Sequence, residues 1–80
     1  MRVLLEIPHH TFKITVFGMN AKYVIKVEWG PLEQTFKIAE LDVVGGLDEV
    51  KKLLTDDFLR SCMVRFHAMS TDFNTAIQQL

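Results

Sequence analysis

Apolar residues recur at Phe58, Cys62, Phe66, Met69, Phe73, Ile77 and Leu80, in steps of 4, 4, 3, 4, 4 and 3. That is the period of one helical face, and it predicts a long amphipathic helix over the last third of the chain. Leu59, Met63 and Ala76 widen the stripe to the breadth of a helix that faces a core. Thr55 is placed to cap this helix, with Asp56 and Asp57 in its first turn. Leu54 before the cap and Leu59 after it stand at hydrophobic-staple spacing, which favours a break near Thr55 over one continuous helix. Ser70-Thr71-Asp72 is the weak stretch, where a kink or an early end is easiest. Just upstream, Leu47, Val50, Leu53 and Leu54 share a face, with acids first and lysines last, which predicts a short first helix.

The first half of the chain alternates with period two instead. Val3, Leu5 and Ile7 point one way from a short strand. Pro8-His9-His10 follows, as either a hairpin connection or a bend in one longer strand. From Thr11 to Phe17 the inward residues are Phe12, Ile14 and Val16; from Lys22 to Trp29 they are Tyr23, Ile25, Val27 and Trp29. Between these strands a Gly18-Met19 loop would put Gly first, as a type II′ turn prefers. It would set Ile14 against Tyr23, Phe12 against Ile25 and Lys13 against Val24. A Met19-Asn20 loop would oppose Lys13 with Lys26, a like-charge pair, so the Gly18-Met19 register is expected. Gly30-Pro31 makes the next turn, and Gln34 to Ala39 forms a further strand with Phe36 and Ile38 inward. Gly45-Gly46 then breaks the chain.

The expected fold is two-layer α+β in one domain, residues 1–80. A meander of three or four antiparallel strands occupies about residues 2–44. Helices at about 47–54 and 56–79 lie on one of its faces. The opposite face carries Thr11, Lys13, Thr15, Lys22, Lys26, Thr35 and Lys37 and is expected to be wet. The stray apolar residues Leu4, Phe17, Met19, Val24 and Val64 fall on outer surfaces in this reading. A helix from Thr55 to Leu80 would be roughly 39 Å long, against about 25 Å for the strands. The end bearing Phe73, Ile77 and Leu80 is therefore expected to overhang its own sheet. The commonest cover for such an overhang is a second copy in a two-fold dimer.

Composition narrows the classes further. Eighty residues with a single cysteine exclude an intrachain disulfide and leave a small core. A net charge of −1 gives no bulk attraction to polyanions. Met1-Arg2-Val3-Leu4-Leu5 is too short for a signal segment, cut by Glu6 and Pro8, and no uncharged apolar run approaches the ~20 residues of a membrane span. The expected location is the cytoplasm, with no membrane partner.

Candidate chemistry is sparse. Adjacent His9 and His10 would point to opposite sides of a strand and match no metal-ligand spacing. Cys62 and His67 lie five apart, about 140° around a helix, and form no nucleophile–base pair. Asp56 and Asp57 suit a helix N-terminus, without the spacing of a calcium loop. No cofactor, metal or catalytic residue is therefore expected. The lysines are more informative. Residues 1–39 carry a net +2 and residues 40–80 a net −3. Lys13, Lys22, Lys26 and Lys37 share the face opposite the core, with Phe17 the one aromatic residue on that side. The order of elements, strands and then a helix, is similar to that of the Whirly family of single-stranded-DNA-binding domains, a likeness of layout that implies a single-strand ligand.

Two functions are expected from these patterns. The first is a non-catalytic protein-interaction module, a homodimer or the partner of another protein, joined through Phe73, Ile77 and Leu80. The alternative is a single-strand nucleic-acid binder using Lys13, Lys22, Lys26 and Lys37. Under that alternative, a mobility shift with mixed oligonucleotides is expected at low salt, weakening steeply as salt rises. No shift at low salt would end it.

Overall fold

Every strand of this chain is hydrogen-bonded to the next one in sequence. The computed structural model describes residues 1–80. Strands β1 (Arg2–Ile7), β2 (Lys13–Met19), β3 (Lys22–Trp29) and β4 (Leu32–Ala39) form one antiparallel sheet in the order β1-β2-β3-β4. A 3-10 turn at Glu40–Asp42 ends the sheet, short of the expected limit near residue 44. Helices α1 (Leu47–Leu53) and α2 (Asp56–Ile77) follow, and the fold is α+β. Pro8-His9-His10 belongs to the connection between β1 and β2, not to a bend in one long strand.

The β2–β3 register differs from expectation. Met19 pairs with Lys22, Val16 with Ile25, Ile14 with Val27 and Lys13 with Glu28. The loop is Asn20-Ala21, with both residues at positive φ, 51° and 61°. Type I′ turns need that conformation, and their twist matches the flanking strands. Each β2 residue meets a β3 residue four positions beyond the one expected. An even displacement keeps every side chain on its face. It also gives Lys13 an opposite charge across the ladder.

β1 departs in a second way. Val3 pairs with Phe17 and Leu5 with Val16, so Leu4 is an unpaired bulge. The bulge turns Val3 out to the far face, 56% exposed, and removes it from the expected core. Leu4 turns in and lies against Gly18, where an added Cβ would sit 3.0 Å from Leu4 Cδ1. Gly18 is therefore a seat for Leu4, not a turn residue. β4 also begins two residues before the expected Gln34, because Gly30 (φ 58°) and Pro31 alone make the β3–β4 turn.

Thr55 caps α2 as expected, its hydroxyl accepting from the Phe58 N–H at 3.1 Å. α2 is 22 residues long, roughly 33 Å. It passes through Ser70-Thr71-Asp72 unbroken. The Thr71 hydroxyl donates to the His67 carbonyl (3.1 Å), and the Asn74 amide donates to the Ser70 hydroxyl (3.4 Å). These residues thus find partners inside the helix, where they would otherwise compete with it. The core joins Phe12, Ile14, Val16, Ile25 and Val27 of the sheet side to Val50, Leu59, Cys62 and Phe66 of the helices.

On the far face Thr15 and Val24 are buried, at 4% and 3% exposure, although no helix covers them. Each stands directly across from a larger residue, Lys26 and Phe17 respectively. The far face is therefore less wet than alternation alone implies.

The turn supplies a test. Ala21 holds a left-handed conformation that disfavours a Cβ by roughly 1 kcal/mol. Ala21→Gly is expected to stabilise the protein by about that amount. The thermal midpoint would rise by ~4–8 °C, read by circular dichroism.

Candidate interaction surface

The position of α2 is set by β4. Phe58 stacks edge-on against Phe36, with centroids 5.1 Å apart, and Phe66 packs on Trp29 at 5.7 Å and on Phe12 at 5.6 Å. Between these contacts Gln34, on the core face of β4, reaches the helix. Its amide donates to the Cys62 carbonyl at 2.9 Å, and its oxygen accepts from Arg65 Nε at 2.8 Å. Arg65 also donates to Cys62 Sγ at 3.4 Å. Ascending α2 thus means descending β4, and the two run antiparallel.

The helix outruns the sheet at the β3–β4 turn. Met69 is the last stripe residue packed on the core, and residues 71–80 are all exposed. Phe73 is 48% exposed, Ile77 44%, and Leu80 fully. Phe73 borders a shallow hollow of about 220 Å³ with Trp29, Pro31 and Leu32. Residues 70–80 hold one ionisable side chain, Asp72. The tail is thus an apolar stripe on a nearly uncharged rod.

The other flank of α2 is open. Two adjoining hollows of about 310 and 340 Å³ run between the helix and the β1–β2 side of the sheet. Leu5, Ile7, Leu54, Leu59 and Met63 give them an apolar floor, and charges of both signs, Glu6, Lys51, Asp56 and Arg60, line them as well. No pattern in the sequence marks this groove, because it arises from where the helix lies, not from what it contains.

On the far face Lys13, Lys22 and Lys37 are exposed. Lys26 is engaged: its ammonium lies 3.8 Å from a Glu33 carboxylate oxygen and 5.3 Å from the Phe17 ring centroid. Glu6, Glu28 and Glu33 share that face by register, so three carboxylates stand among four lysines. The four do not form a free cationic stripe.

Several of the other polar residues have local partners. His9 Nδ1 accepts from the Thr11 and Phe12 N–H groups at 3.1 and 3.2 Å, and its ring stacks on His10. The Cys62 thiol is fully buried, while His67 packs against Trp29. Asp57 pairs with Arg60 at 2.6 Å. No three His, Cys, Asp or Glu side chains are grouped to hold a metal ion, and no helix is long and apolar enough to cross a membrane.

No family model, curated protein or solved structure matches the chain.

The Gln34 bridge generates a prediction. Gln34→Ala removes one bond to the helix backbone and one to a guanidinium. The loss is expected to be about 1–2 kcal/mol, measured by urea unfolding. An unchanged midpoint would show that the bridge adds nothing to the docking of α2.

Proposed function

We propose that this protein is a non-catalytic self-association module that works as a two-fold homodimer joined through the projecting end of α2. One observation carries the reading: the sheet-facing stripe continues through Phe73 and Ile77 after the sheet has ended, and both side chains are about half exposed. A nearly uncharged tail suits a like partner, since two copies meeting there bring no set of like charges together. The area also has a magnitude. Covering what is exposed of Phe73 and Ile77 contributes about 1 kcal/mol each, and Leu80 about 2, so roughly 8 kcal/mol for two copies. Association costs ~4–15 kcal/mol, so a dimer of useful affinity buries more than these three residues.

The far face supports a weaker second reading, single-strand nucleic-acid binding through Lys13, Lys22, Lys26 and Lys37 beside Phe17. The interleaved Glu6, Glu28 and Glu33 oppose it, because they reduce the counterions a polyanion would release.

Light scattering after size exclusion tests the first reading. Wild type at high micromolar concentration is expected at twice the 9.2 kDa chain mass. The double variant Phe73→Ser, Ile77→Ser is expected at the single-chain mass with an unchanged circular-dichroism spectrum. A monomeric wild type would sink the reading. A variant that unfolds without first dissociating would place both residues in the intramolecular core.

A further inference from the structure

This inference rests on the dimer reading and names the surface that receives the tail. We infer that the open groove beside α2 takes the projecting end of α2 from a second copy, reciprocally, around a two-fold axis that passes close to residue 68.

The dimensions fit. The groove follows α2 from Asp56 to Met63, roughly 12 Å, and the exposed tail from residue 71 to 80 is about 15 Å. The spacing fits as well. Phe73 and Ile77 are four residues apart, as are Leu59 and Met63 on the groove floor. Antiparallel helices therefore bring Phe73 beside the partner's Met63 and Ile77 beside the partner's Leu59 in one register. Because Phe73 and Ile77 project on the sheet side of α2, the same placement turns them down onto the partner's uncovered β1–β2 face.

The size of the contact selects this arrangement over a meeting of two tails. Tails alone would engage three apolar residues per copy. With the groove, ten and eight residues line the two hollows, three of them shared, and the tail adds to these. Leu5, Ile7 and Met63, partly exposed in the single chain, are thereby added to the apolar surface that each copy covers. Every apolar surface that projects is matched by one that receives, so the assembly closes at two copies.

The groove is lined from one side by exposed Arg60, and Asn74 lies on the same flank of the helix nearly four turns on. Arg60→Cys and Asn74→Cys, made in separate chains, test the pairing with a short bis-maleimide. Wild type is the control, since its one thiol is fully buried. The mixture of the two variants is expected to give a cross-linked heterodimer. Each variant alone is expected to give none, because equivalent positions would lie roughly 24 Å apart for residue 60 and 18 Å for residue 74. Cross-linking of Asn74→Cys with itself would show that the tails meet each other; it would overturn the groove and leave the dimer standing. A dimer by light scattering with no cross-link in the mixture would also overturn the groove. A monomeric wild type would remove both readings together.

Discussion

The arrangement of this molecule depends on α2 lying along one edge of its sheet, antiparallel to β4. Three aromatic contacts and one polar bridge hold it there. Phe36 meets Phe58, Trp29 and Phe12 meet Phe66, and Gln34 ties the helix backbone and Arg65 to the strand. The aromatic burial supplies most of the attraction, because a Phe side chain gives up about 2 kcal/mol of exposed surface. The bridge adds direction more than energy. It satisfies a polar side chain on the core face only when the Cys62 carbonyl stands opposite it, and so fixes how far the helix slides along the strand.

That one placement produces both unusual surfaces. A helix centred over the sheet would have covered β1 and β2 and left no groove. A helix set further back would have drawn Phe73 over Leu32 and left no projecting tail. The open flank and the overhang are two results of the same offset, so any change that moves α2 along β4 alters both together.

Much of this was legible in the chain itself. Helix period, cap and staple located α2, and alternation assigned the faces of β2, β3 and β4. The overhang followed from length alone. What escaped did so for physical reasons. The Asn20-Ala21 turn was hidden because Ala is a poor left-handed residue, and the sheet's twist imposed the conformation on it. The Leu4 bulge was hidden because Val3, Leu5 and Ile7 alternate without a flaw, and only the space at Gly18 invites the extra residue. The Gln34 bridge joins residues 28 and 31 positions apart, so no local pattern announces it. The charge balance of the far face needed register, since Glu6 and Glu33 come from strands at opposite sides of the sheet.

The bulge in β1 has a bearing on solubility. β1 and β4 are both edge strands, and a regular edge is a template on which strands of other chains can add without limit. The unpaired Leu4 breaks the repeat of β1 and sharpens its twist, which spoils the template. Loss of that extra residue would leave a smooth apolar edge, Val-Leu-Glu-Ile, free to recruit its like into fibrils. A single misplaced leucine thus makes the β1 edge a poorer template than the regular edge of β4.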